Sequence, residues 1–258
     1  MAKIISVANQ KGGVGKTITT INLGSVLSFV YSKKVLLIDM DAQGNTSDGL
    51  NLDVASKPTI YEVMNGENDI KEAIHDYKGI DVITSDIALS SAEREYSSVG
   101  SEHKLRKQLE KIKDNYDYIF IDCPPSLGIL TINAFTASDE LIIPIKPSVF
   151  SLKGLIELSK TISSVQEYTN EKLIIRGVLF TEYNERFNIN KTMKDSVNQV
   201  TSIIEAPVFE TFTRRSVVVE EALASGKDLI NFDKASTTEE DYIALGKEFL
   251  EMVGDLNE

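Results

Sequence analysis

The chain has 258 residues, 42% of them hydrophobic and 26% charged, so it can bury a core without disulfides. One cysteine, Cys123, excludes an intrachain disulfide framework and a cysteine-rich metal site, and His75 and His103 stand apart without ligand-like neighbours, which predicts surface positions for both. The net charge of −12 argues against nucleic-acid binding over the whole surface and leaves room only for a local basic patch.

The first element is a short β-rich run, KIISVA (residues 3–8), with neither the length nor the cleavage pattern of a signal peptide. A glycine-rich loop follows, NQKGGVGKT (residues 9–17). Residues 17–31 then read as a helix, because Ile18, Ile21, Val26 and Phe29 recur near helical spacing and no proline intervenes. KVLLIDMD (residues 34–41) is a continuous apolar run closed by a carboxylate, the pattern of a parallel strand covered on both faces. The same pattern predicts strands at residues 81–85, 118–122, 140–145, 173–181 and 207–212. Helical periodicity lies between them at 103–114, 152–168 and 189–204, and a last helix is expected at 238–253 with Thr237 or Thr238 as N-cap. Strand–helix alternation over the whole length predicts an α/β fold with a mainly parallel twisted sheet flanked by helices, in one domain over residues 1–258. No apolar stretch approaches the roughly 20 residues of a bilayer span, so a cytoplasmic protein is expected.

The loop departs from the common phosphate-binding pattern G-x-x-x-x-G-K-[ST], because Gln10 stands where the first glycine belongs and a second lysine, Lys11, stands beside it. A glycine turn between strand and helix points backbone N–H groups and a helix N-terminus at phosphate oxygens. Gly12, Gly13 and Gly15 allow the close approach, Lys16 is placed for the β- and γ-phosphates, and the Thr17 hydroxyl for Mg²⁺. Lys11 leaves from the front of the loop and is free to reach a nucleotide held by a second copy, in the manner of an arginine finger; the other reading is a solvated surface lysine.

With Lys11 in place, KGGVGKT resembles the deviant Walker A motif of the ParA/MinD family of ATPases. LLIDMDAQGNTS (residues 36–47) resembles the family's second motif, YDYIFIDCPPSLGILTINAFTASDELIIPI (116–145) its Walker B region, and VVVEEALASGK (217–227) its C-terminal nucleotide-side segment. The resemblance implies a P-loop NTPase fold, ATP and Mg²⁺, and an ATP-sandwich dimer in which the front lysine crosses the interface. It places the nucleotide on Lys11, Gly12, Gly13, Val14, Gly15, Lys16, Thr17 and Ile18.

Asp122 ends an apolar strand, where carboxylates face the ligand crevice of open α/β sheets, and is expected to hold Mg²⁺ through water. Pro124 and Pro125 after it stiffen a segment that would sense the γ-phosphate. By resemblance Asp41 positions the attacking water, which makes Lys11, Lys16 and Asp41 the catalytic set. Asp39 shares Asp41's side of the strand and either supports the metal's water shell or is a buried structural acid. The family usually carries proline where Ala42 stands, which predicts a looser loop here.

The family's outputs differ, so the branch is decided elsewhere. The tail YIALGKEFLEMVGDLNE is acidic, unlike the basic membrane helix of MinD-like members, and membrane binding is not expected. Cys123 alone supplies no iron–sulfur cluster, and no terminal tyrosine cluster is present. The resemblance therefore favours the partitioning branch: an ATPase that segregates plasmid or chromosome DNA, nucleoid-associated when ATP-bound. It would bind double-stranded DNA without sequence preference and be driven by a ParB-type centromere-binding protein whose basic arm suits an acidic surface. The chain begins on its first strand, so no operator-binding domain is expected before it. The alternative is a relative that positions a protein cargo, such as a chemotaxis cluster or a microcompartment. The expected DNA contacts are Arg186, Lys191, Lys194, Arg214 and Arg215, although Val218 stands where close relatives carry a second arginine: either Arg214 supplies that charge, or the DNA contact is weaker or lies elsewhere.

Overall fold

The computed structural model describes residues 1–148, 151–232 and 235–256. The apolar runs become strands whose side chains alternate between two helical layers, as a pleat of period two requires. In β1 (Lys3–Val7) Ile4 enters one core and Ile5 the other. In β2 (Val35–Asp39) Leu36 and Ile38 oppose Val35 and Leu37, and in β5 (Tyr118–Asp122) Ile119 and Ile121 oppose Tyr118 and Phe120. With β3 (Ile74–Tyr77), β4 (Ile80–Ile83), β6 (Glu140–Ile145) and β7 (Ile174–Phe180) they form one sheet of order β3-β4-β2-β5-β1-β6-β7. Every pairing is parallel except β3 with β4. The fold is thus α/β with a mostly parallel seven-stranded sheet.

The helices follow as α1 (Lys16–Ser25), α2 (Asn45–Gly49), α3 (Ile60–Asn65), α4 (Ala92–Glu95), α5 (Lys104–Leu109), α6 (Ile129–Ala137), α7 (Ser151–Tyr168), α8 (Asn188–Ile203), α9 (Val217–Ala224) and α10 (Thr237–Val253). Leu105, Leu130, Phe135, Leu155 and Leu158 from α5, α6 and α7 fill one core; Ile21, Leu23, Val219, Tyr242 and Phe249 from α1, α9 and α10 fill the other. Phe249 lies edge-on to Tyr118, at 5.6 Å between centroids, which fixes α10 under the sheet. No helix among the described residues is long and apolar enough to cross a membrane.

Several sequence expectations are corrected. The run at 207–212 is not a strand: only Val208 bridges to β7, through Val178, and Pro207 at its start has no N–H to donate. The helix expected at 103–114 is α-helical only over Lys104–Leu109, with 3₁₀ turns at Ser101–His103 and Lys113–Asn115. Leu105, Leu109 and Ile112 keep the helical spacing, but Ile112 N–H donates to Leu109 O and tightens the chain to i→i+3 bonds. The first helix turns to π geometry at Val26–Val30, and the last is capped by Ser236, whose hydroxyl accepts from Glu239 N–H. His75 is buried on β3, not exposed, and burial holds its imidazole below the ordinary pKa.

Candidate functional site

The parallel strands end together on one edge, and the glycine loop leaves β1 there, with β5 on one side and β6 on the other. Gly13 (φ 68°) and Gly15 (φ 87°) occupy the left-handed region that favours glycine, and a Cβ built on Gly12 or Gly13 meets nothing within 4 Å. Gly15 is the N-cap of α1 and brings no side chain, so the first N–H groups of the helix are left for a ligand. This open cradle, faced by a helix N-terminus and a lysine, fits a chain of phosphates. Val14 packs the loop down from beneath, buried, and its carbonyl accepts from the Thr181 hydroxyl at 2.8 Å.

The two lysines take different directions. Lys16 is buried, and its Nζ turns back along the loop to Lys11 O at 3.4 Å. Burial lowers its pKa, while Asp122, Cys123 and Asp41 act in the opposite direction. Lys11 is exposed, and its Nζ reaches away to Ser148 Oγ at 3.0 Å in the loop after β6. Asn9 seats the start of the loop: its Oδ1 accepts from Lys11 N–H at 2.9 Å and its Nδ2 donates to Pro144 O at 2.7 Å.

The carboxylates converge from two neighbouring strands, since Asp39 of β2 pairs in register with Asp122 of β5. Burial pushes both acids above the usual carboxylate range; Asp122 raises Asp39 further, and the Thr17 and Thr46 hydroxyls and Lys16 pull Asp122 back. Asp39 accepts from Asp41 N–H on Oδ1, and from Thr46 N–H, Ser47 N–H and Ser47 Oγ on Oδ2, at 2.9–3.1 Å. Asp39 is fully buried and engaged by all of these donors. Its bonds hold the Asp41 turn although Ala42 replaces proline, and Asp41 itself accepts from Gln43 N–H at 3.0 Å. Asp122 Oδ2 accepts from Thr46 Oγ1 at 2.8 Å, whereas Asp122 Oδ1 is buried with no hydrogen-bond partner among the described residues. An orphaned carboxylate oxygen beside Lys16 and Thr17 is the chemistry of a hard divalent cation site. Asn9 and Thr46 carry no role in the sequence reading; Thr46 lies inside the second motif, but its link to Asp122 depends on a strand pairing that spacing does not reveal.

Beside the loop, a pocket of about 450 Å³ touches Gly15, Ile18, Thr181, Arg215 and Val217. A larger cleft of about 980 Å³ brings together Arg186, Phe187, Arg214 and Arg215, and Arg214 and Arg215 line both. The candidate cations differ in freedom. Arg214 is held on Asp241 through Nε at 3.0 Å and donates from Nη2 to Thr237 O at 2.8 Å, so its guanidinium is paired at the start of α10 while its side chain stays 43% exposed. Val218 packs into the core of α9. Arg186, Lys191 and Arg215 are exposed, and Lys194 sits over the Tyr183 ring at 5.6 Å.

A strand, an open glycine cradle, a Lys-Thr pair opening a helix and a carboxylate at the end of an adjacent strand together define a P-loop nucleotide-binding protein of the α/β class. A family model described as an AAA domain matches residues 2–175. Over 252 residues the chain is 41% identical to the sporulation initiation inhibitor protein Soj of Bacillus subtilis, covering 96% of this chain and 98% of that protein. Over 254 residues it is 38% identical to the chromosome partitioning protein ParA of Caulobacter vibrioides, covering 96% and 94%. Among solved structures it resembles Mycobacterium smegmatis cobyrinic acid a,c-diamide synthase with bound ADP and magnesium (TM-score 0.84, 30% identity, 98% and 96% covered). It also resembles Cyanothece McdA in complex with ATP (TM-score 0.87, 25% identity, 100% and 98% covered). The chain belongs to the ParA/Soj family of chromosome-partitioning ATPases.

Proposed function

We propose that this single-domain chain hydrolyses ATP in a partitioning cycle: it closes with ATP into a sandwich dimer, binds double-stranded DNA without sequence preference, and is released when a ParB-type partner stimulates hydrolysis. One observation carries the dimer: Lys16 alone serves its own loop, while the Lys11 ammonium stands exposed and turned away from it. Two bound nucleotides brought face to face repel, and a cation arriving from the partner offsets that repulsion only on closure. Within one subunit, the loop N–H groups and Lys16 bind the phosphates. Thr17 and Asp122 Oδ1 fit Mg²⁺, which when bound supplies charge neutralisation on the phosphates. Asp41 orients water. Arg186, Lys191, Lys194 and Arg215 supply the DNA-facing charge, and Arg214 anchors α10. The test is retention on DNA with ATP, ADP or no nucleotide, with and without a ParB-type partner protein. ATP-dependent retention that the partner reverses is expected; retention indifferent to nucleotide would overturn the cycle.

A further inference from the structure

Asp122 presents two oxygens that are not equivalent. Oδ2 is engaged by the Thr46 hydroxyl at 2.8 Å, whereas Oδ1 is buried without a hydrogen-bond partner among the described residues, on a carboxyl that the Thr17 hydroxyl and Lys16 also influence. A carboxylate turns about its Cβ–Cγ bond, so whichever group holds one oxygen decides where the other points. Thr46 is fully buried, and its own backbone is pinned by Asp39 Oδ2 at 3.1 Å. The other oxygen of Asp39 accepts from Asp41 N–H at 3.1 Å. The turn that carries Asp41 and the carboxylate at the end of β5 are therefore one hydrogen-bonded unit, joined through the side chains of Asp39 and Thr46. Ser47 ties the same unit outward: its hydroxyl donates to Asp39 at 2.9 Å and accepts from Ser85 N–H at 3.1 Å.

We infer that Thr46 is a positioning residue: its hydroxyl fixes Asp122 so that Oδ1 faces the divalent cation, and it links that carboxylate to the Asp41 turn. The inference rests on the reading of Asp122 as a metal-side group. Groups that orient a metal-binding carboxylate from behind are worth roughly 10- to 100-fold in metal affinity or activity. Val is nearly isosteric with Thr and lacks only the hydroxyl, and Ser keeps the hydroxyl and loses the methyl.

The experiment measures Mn²⁺ affinity in the presence of ADP by electron paramagnetic resonance, and the Mg²⁺ concentration for half-maximal ATP hydrolysis, for wild type, Thr46→Val, Thr46→Ser and Asp122→Asn. Nucleotide affinity in EDTA and thermal unfolding accompany each variant. Thr46→Val should weaken Mn²⁺ binding and raise the Mg²⁺ requirement by about 10-fold or more, with EDTA-state nucleotide affinity preserved. Thr46→Ser should restore most of the loss. Should Thr46→Val fail to fold, Thr46→Ala against Thr46→Ser gives the same comparison. A Thr46→Val protein with wild-type metal dependence, beside an Asp122→Asn protein that has lost it, overturns the inference and leaves Asp122's role standing. Unchanged metal dependence in Asp122→Asn overturns that role, and the inference with it. A loss that Thr46→Ser does not recover shows a packing role for the methyl and also overturns the inference.

Discussion

Arg214 offers a sharp test of how charge is used around the larger cleft, because sequence places it among the DNA contacts and the structure pairs it with Asp241. Its Nε lies 3.0 Å from both oxygens of Asp241, Nη2 donates to Thr237 O at 2.8 Å, and Glu240 approaches at 3.6 Å. Arg214→Ala removes these bonds; the backbone N–H of residue 214 still donates to Asp241 at 2.7 Å, so the acid is not orphaned. Hydrogen bonds to charged groups contribute about 1.5–3 kcal/mol and exposed ion pairs about 0–1 kcal/mol. The Asp241 side chain is 10% exposed and that of Arg214 43%, which places the loss between these limits, at about 2 kcal/mol. For a chain of this size that corresponds to roughly 4–8 °C in melting temperature. Thermal unfolding of Arg214→Ala, Asp241→Asn and the double variant should show strong coupling between the two positions. DNA retention should fall less for Arg214→Ala than for Arg215→Ala. An unchanged melting temperature together with a DNA defect equal to that of Arg215→Ala would refute the assignment of Arg214 to the α10 anchor.

Asp41→Ala should stop hydrolysis while preserving ATP binding, so that the protein accumulates as an ATP-bound dimer on size-exclusion chromatography; failure to bind ATP would make Asp41 a structural or metal-side residue. Arg215→Ala should weaken DNA retention and flatten its salt dependence by the share of one phosphate contact, and unchanged affinity would move the DNA surface to another patch. His75, held neutral by burial, has a folded pKa below its unfolded value, so its contribution to stability is complete above the ordinary histidine range and is lost as pH falls through that range towards the lowered value. His75→Gln should therefore lose less melting temperature than wild type between pH 7.5 and 5.5, and equal losses would show that His75 does not titrate against folding.

The central strands were legible because residues buried on both faces leave continuous apolar runs, as in Leu36, Leu37 and Ile38 or Ile119, Phe120 and Ile121. The edges were not. IHDY of β3 contains too few apolar residues to declare a strand, and the run from Pro207 looks like one but makes a single bridge. The phosphate loop was legible because its chemistry is contiguous: loop, Lys16, Thr17 and helix follow one another along the chain. The Asp39–Asp122 pairing joins residues from different strands, so the roles of Asp39 and Thr46 emerge only when β2 lies beside β5. The direction of Lys11 and the commitment of Arg214 to Asp241 are likewise tertiary facts that a count of charges cannot supply.

The most direct test of the account concerns Lys11 and uses two inactive variants mixed together. Lys11→Ala should bind ATP as a monomer yet fail in ATP-dependent dimerisation and partner-stimulated hydrolysis, since the Lys16 ammonium, which turns back along its own loop, is left intact. Asp41→Ala should dimerise without turnover. In a mixed dimer one site keeps its own Asp41 and receives Lys11 from the partner. Hydrolysis by the mixture, where neither variant alone turns over, is the result expected of a lysine that acts across the interface. Mixed dimers shown to be present and still inactive would contradict it.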